Sequence, residues 1–256
     1  MKKLVFFCLL FIFFMATAFA GQSRETLTLA AEGCRSLRID CGAGDLKVQG
    51  DDKLDRIEVH AVLTARGLSE SELPEFKKEH VILKLEKAGE RAILTARIES
   101  SFSLQRLFGG VNAYIDLEVR LPRRLALDVE DGSGDIEIRS MDNGLELEDG
   151  SGDVHLEGIG GTVEIDDGSG DLDLAGLKGE VKIDDGSGDI ELKGAGGDVS
   201  IEDGSGQIEV YDVRGSVEID DGSGDIIIDG VEQDVTIEEA GSGSVEIRNV
   251  KGRVRK

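Results

Sequence analysis

Asp-Gly-Ser-Gly occurs six times, beginning at Asp131, Asp149, Asp167, Asp185, Asp203 and Asp221, each copy eighteen residues after the last. In five of the six a second aspartate follows directly, giving Asp135, Asp153, Asp171, Asp189 and Asp225, while Gln207 takes that place in the remaining copy. Three chemistries suit a hydroxyl between two carboxylates on a glycine-rich loop. The serine could attack a substrate, the carboxylates could hold a hard cation through oxygen, or the segment could be a turn. A nucleophilic serine needs one positioned base, and a serine that recurs every eighteen residues has no unique partner. The three histidines, His60, His80 and His155, are widely separated, and the chain contains no His-x-x-x-His or Cys-x-x-Cys. Paired carboxylates on a repeat form rows rather than one acid–base couple. Catalysis is therefore not expected, and a glycan-active enzyme on a β-helix is the least favoured alternative.

Calcium is the stronger chemical reading. Stacked repeats align Asp135, Asp153, Asp171, Asp189 and Asp225 in one row, where like charges repel and calcium would relieve them. The Gly-Ser-Gly-Asp spacing is one residue shorter than the Gly-x-Gly-x-Asp of calcium-binding β-rolls, and the opposite corners, "GLKG" and "GAGG", lack carboxylates. A solvated acidic edge that discourages lateral aggregation is the competing reading. These five residues are the metal candidates; no other cofactor is expected.

The turn reading covers Asp149, Gly150, Ser151 and Gly152, then Asp167, Gly168, Ser169 and Gly170, then Asp185, Gly186, Ser187 and Gly188, and their equivalents. In "LELEDGSGDVHL" alternation carries Leu145 and Leu147 inward and would carry Asp149 and Ser151 with them. The next inward residue is Val154, so the phase slips at Ser151-Gly152-Asp153 and the chain must bend there. Glycine reaches positive φ without steric cost, and an aspartate side chain accepts the N–H groups of its own turn. Cys41 and Ala240 replace the first aspartate in the outermost copies, "CGAGD" and "AGSGS". That position therefore accepts small, partly buried groups, and the motif specifies a bend.

The elements that position these bends are short strands. Ile136 and Ile138 share one face and Leu145 and Leu147 another, a period-two pattern for half-buried strands. One more apolar residue lies between the strands of each unit: Met141, Ile159, Leu177, Ala195, Val213 or Val231. Repetition at this period predicts an all-β, single-stranded parallel β-solenoid of 18-residue coils with two short strands per coil. Between Gly50 and Pro122 the pattern lapses. "RIEVHAVLTARG" reads as a long strand, and Ser69 with Glu72 forms a capping box for a short helix reaching about His80. "VILKLEKAGERAILTARI" reads as a hairpin turning near Gly89, and "AYIDLEVRLP" as another strand. This antiparallel region with one short helix is expected to cover an open end of the rod.

Lys2 and Lys3, the apolar run "LVFFCLLFIFFMATAFA" and Ala18-Phe19-Ala20 have the order of a secretory signal peptide over residues 1–20, an uncleaved anchor being the rival. Residues 21–125 then hold a first coil and the cap, and residues 126–256 the repeats. The expected location is periplasmic, extracellular or on the cell surface, with no integral span after cleavage. Cys34 and Cys41 flank a strand whose extended length keeps them about 20 Å apart, too far for a disulfide, so both are expected to stay free. The net charge of −24 argues against nucleic acid as a partner. The basic stretch "RNVKGRVRK" either protects an edge or contacts an anionic envelope surface.

"RSLRIDCGAGDLKVQG", "DLEVRLPRRLALDVEDGSGDIEI" and the run of glycine-centred strands resemble the family of bacterial envelope proteins known as putative adhesins with β-strand repeats. The resemblance spans the chain beyond the leader. It implies an exported β-solenoid with no established catalytic mechanism, and it carries over no functional residues. The expected function is a non-enzymatic envelope protein, adhesin or scaffold, acting on an unidentified envelope or surface partner through a repetitive acidic surface. A calcium-stabilised binding module and a self-assembling structural solenoid are the alternatives.

Overall fold

The computed structural model describes residues 20–99 and 111–256, so the expected signal peptide lies outside the described residues except for Ala20. Seven coils follow one another from Ala126 to Val250. Each contributes one strand to each of two facing sheets: β8 (Ala126–Asp131) with β9 (Ile136–Met141), β10 (Leu145–Asp149) with β11 (Val154–Ile159), β12 (Val163–Asp167) with β13 (Leu172–Leu177), and β14 (Val181–Asp185) with β15 (Ile190–Ala195). The series continues with β16 (Val199–Asp203) and β17 (Ile208–Val213), β18 (Val217–Asp221) and β19 (Ile226–Val231), β20 (Val235–Ala240) and β21 (Val245–Val250), then the short β22 (Val254–Arg255). Equivalent residues pair in parallel register, as Leu145 with Val163 and Val154 with Leu172. This is the solenoid that the eighteen-residue period predicts.

The inward residues of the two sheets meet in one continuous core. Leu145, Leu147, Val154, Leu156 and Ile159 are all buried, and the pattern recurs in the following coils. Strand parity alone would not bring Ile159 inward after Leu156. The residue before it is left-handed, Gly158 at φ 70°, as are Gly176, Gly194 and Gly230 in later coils. That local reversal turns the strand end into the core.

The first coil, β2 (Ser36–Cys41) and β3 (Leu46–Asp51), stacks directly on β8 and β9, with Leu37 opposite Leu127 and Leu46 opposite Ile136. The chain between them forms the cap. It comprises β4 (Arg56–Arg66), α1 (Leu73–His80), β5 (Val81–Ala88), β6 (Arg91–Ile98) and β7 (Asn112–Pro122). β6 and β7 extend the parallel ladders onto β2 and β3, whereas β5 pairs antiparallel with β6 and β4 with β7. The segment β1 (Ala20–Ala30) adds one more antiparallel strand outside β4.

α1 rests against β1 and β5 with Leu73 and Phe76 buried, closing the core between the sheets. Its start keeps half of the expected capping box: the Ser69 N–H donates to Glu72 Oε2 at 2.9 Å, while the Ser69 hydroxyl donates to the same oxygen at 2.6 Å. Salt bridges fasten cap to rod. Arg38 on β2 reaches Asp128 at 2.7 Å and Glu130 at 2.6 Å on β8, and Arg97 on β6 joins Glu130 at 2.6 Å and Asp40.

Candidate functional site

Every Gly-Ser-Gly bend carries two aspartates with opposite fates. The second ones, Asp135, Asp153, Asp171, Asp189 and Asp225, are exposed. Their Oδ1 atoms accept backbone N–H groups from the next coil: Asp135 from Asp153 at 3.3 Å, Asp153 from Asp171 at 3.1 Å, Asp171 from Asp189 at 3.0 Å and Asp189 from Gln207 at 2.9 Å. Asp225 accepts both the N–H and the hydroxyl of Ser244, which hold its carboxyl below the usual range. The column begins earlier than the repeat suggests, since Asp116 accepts the Asp45 N–H at 3.1 Å and Asp45 that of Asp135 at 3.4 Å. Asp45 was legible in the "CGAGD" copy; Asp116 lies in the cap, where no repeat points to it.

The calcium candidates thus act as staples between rungs, each with one oxygen already committed to a backbone donor. Among the described residues no three His, Cys, Asp or Glu side chains converge closely enough to hold a metal ion. Asp189→Ala is expected to lower stability by about 1 kcal/mol, a melting shift of roughly 3 °C. Thermal melts in chelator and in millimolar calcium should give the same loss; a loss seen only with calcium would return the row to metal binding.

The first aspartates point inward. Asp131, Asp149, Asp167, Asp185, Asp203 and Asp221 are between 0% and 6% exposed, stacked in register at the ends of β8, β10, β12, β14, β16 and β18. In the last five, Oδ1 accepts the N–H of the serine two residues on, at 3.3, 3.3, 3.1, 3.0 and 2.9 Å. The other oxygen, Oδ2, is buried with no hydrogen-bond partner, and in Asp131 both oxygens are. Burial pushes the carboxyls of Asp149 and Asp185 up to about 7 and that of Asp203 up to about 6, with the charges of stacked neighbours adding to it. Burial also raises Asp131, Asp167 and Asp221.

Cys41 occupies this position in the first coil, buried against Asp131, and burial pushes its thiol up; Cys34 is likewise buried and both cysteines are free. The inward phase of the aspartates was readable from their alternation with leucine. What the one-dimensional pattern did not convey is how completely these carboxyls are buried, with one oxygen left without a hydrogen-bond partner.

The glycine N–H groups of the bend bond between rungs. The Gly168 N–H donates back to the Asp149 carbonyl at 3.0 Å, and the Gly170 N–H donates forward to the Ser187 carbonyl at 3.0 Å. The two glycines serve different needs. Gly170 has φ 146°, whereas Gly168 is not left-handed and is required by approach, since a Cβ there would lie 2.6 Å from the Gly150 carbonyl oxygen.

This stacking, with its inserted cap, is the frame against which known proteins compare. A family model described as Toastrack DUF4097 matches residues 10–255. The chain belongs to this family. No functionally curated protein matches the Toastrack chain. Among solved structures it is similar to a "putative adhesin" from Parabacteroides merdae, at 14% identity and TM-score 0.52, covering 92% of this chain and 95% of that one. A "putative adhesin" from Bacteroides fragilis is 10% identical with TM-score 0.47, covering 91% and 96% of the two chains. A "putative cell adhesion protein" from Clostridium sporogenes is 15% identical with TM-score 0.28, covering 91% and 98%. At these identities the likeness concerns the fold.

The outer surfaces of the Toastrack rod differ in charge. On the sheet built from β10 to β18, the outward exposed positions are Glu146, Glu148, Glu164, Asp166, Asp184, Glu202, Glu218 and Asp220, with Lys182 the one ammonium among them. The other sheet is mixed: its outward rows include Arg139, His155 and Lys193, and His155 Nδ1 lies 3.0 Å from Asp173 Oδ2. The basic stretch beyond Val245 pairs partly with the preceding coils, Lys251 with Glu232 at 2.9 Å and Arg253 with Asp234 at 3.1 Å. No helix among the described residues is long and apolar enough to cross a membrane.

Proposed function

We propose that this chain is an exported, non-enzymatic envelope protein, an adhesin-like rod that binds or scaffolds through its acidic sheet face. One observation carries the reading: eight carboxylates and a single ammonium are displayed in register, on strands spaced about 4.8 Å apart, across the outer face from β10 to β18. Such a face creates a field of one sign over an extended, rigid plane, which steers and orients a partner bearing cationic groups and repels polyanions. The "adhesin" wording attached to the similar structures and the apolar leader agree with a surface or periplasmic setting. Repetition supports binding rather than turnover, because equivalent side chains recur on successive rungs and none is singled out as a catalytic group.

The test is co-sedimentation of the purified protein with isolated envelope fractions at rising salt. Binding should weaken as salt screens the face, and Glu146→Gln with Glu148→Gln, Glu164→Gln and Asp166→Asn should weaken it about tenfold at low salt. Binding that neither salt nor this variant alters would exclude the acidic face as the contact.

A further inference from the structure

The buried aspartate column is not needed to close the bends, since Ala240 ends one strand where an aspartate would stand and Cys41 another. Six carboxyls at core positions, one per rung, are therefore a feature to be explained in its own right. Their surroundings offer almost nothing to balance charge. Facing the column are the aspartates of neighbouring rungs, the exposed Asp153, Asp171 and Asp189, the adjacent Asp166 and Asp220, and at the cap end Asp40 and the Cys41 thiol. At the cap end the Arg97 guanidinium bears on Asp131. Each ionised member would place a second, unsolvated oxygen in a dry corner about one rung from an identical oxygen above and below. A neutral acid avoids both costs, and in Asp149, Asp167, Asp185, Asp203 and Asp221 it keeps the Oδ1 bond to the serine N–H.

We propose that the column formed by Asp131, Asp149, Asp167, Asp185, Asp203 and Asp221, stacked in register with buried, unpartnered carboxyl oxygens, is a pH-sensitive element of the rod that loosens the stack as it ionises. The sign follows from linkage. Carboxyls raised above their ordinary range bind protons more tightly folded than unfolded, so their contribution is complete in acid and is lost as pH rises through the folded values. For Asp203, Asp149 and Asp185 that loss runs from about pH 4 to about pH 7. A rod of this kind is firmest in mildly acidic surroundings and most open to rung separation in alkaline ones.

Thermal melts of the purified protein between pH 5 and pH 8.5 test this. The melting temperature should fall by roughly 10 °C across that range. Asp167→Asn with Asp185→Asn should melt higher than wild type at pH 8.5 and show a visibly shallower slope. The outward pair Asp166→Asn with Asp184→Asn removes the same formal charge and should keep the wild-type slope. If both pairs flatten the slope alike, overall charge is responsible and the proposal fails. A second readout needs no variant: infrared spectra of wild type at pH 5.5 should contain the C=O stretch of protonated carboxylic acids, and this should vanish by pH 8.5. Its absence at pH 5.5, where exposed carboxyls are ionised, would equally overturn the proposal.

Discussion

Gly170→Ala is expected to destroy the stacked rod or to cost at least about 4 kcal/mol, a melting loss of more than roughly 10 °C. The methyl would sit 1.8 Å from the Gly152 carbonyl oxygen and 2.6 Å from its carbon, at a φ of 146° that side chains rarely adopt. Backbone lies on the receiving side, so no rotamer change makes room. Relief requires the rungs carrying Gly152 and Gly170 to separate, and the Gly152 N–H bond to the Ser169 carbonyl that joins them would be lost. Gly89→Ala is the comparison. Gly89 also has positive φ, 65°, but no atom lies within 4 Å of a Cβ built there. It should lose only about 1–2 kcal/mol from backbone strain. Circular dichroism melts of the two variants decide the matter, and equal, small losses would mean that the rungs are not packed backbone on backbone.

Ile183→Ala has the second largest expected effect, about 2–5 kcal/mol. Ile183 is 1% exposed and lies in β14, midway along the rod, paired with Ile165 and Ile201 on the strands to either side. Because each coil contacts only its neighbours, a cavity there weakens the two interfaces that hold the ends together. Denaturant unfolding should be broader than that of the wild type, with a lower slope, as the two ends separate. Asp184→Ala, one residue away and facing water, should change stability by less than about 0.5 kcal/mol. A similar loss from both substitutions would contradict the alternation of buried and exposed faces.

Much of this architecture was legible before any coordinates, and particular residues explain why. Leu145 and Leu147 against Glu146 and Glu148 encode a strand with an inside and an outside, and the same letters eighteen residues later encode its neighbour. The helix from Leu73 to His80 and the hairpin around Gly89 were readable because capping and turn chemistry act over a few residues. The place of the cap was harder. Leu37 lies opposite Leu127, ninety residues on, although in a one-dimensional alignment that interval looks like any whole number of coils. β1 was unmarked by any repeat.

The candidate site divides along the same line. Repeating glycines and serines are local requirements, so their role as bends could be inferred from spacing. The roles of the two aspartates in each bend depend on what sits one rung away. Asp153 is a staple because the Asp171 N–H comes within 3.1 Å of it. Asp149 resists ionisation because it is buried, and the flanking Asp131 and Asp167 add to that.

Order along the chain was thus enough to specify rung, bend and core, since each rests on short-range stereochemistry and on the period of apolar side chains. The docking of the cap onto the outer side of the first coil, and the electrostatic environment of the inner carboxyls, emerged only on folding. Both are set by contacts between segments whose separation in sequence says nothing of their separation in space.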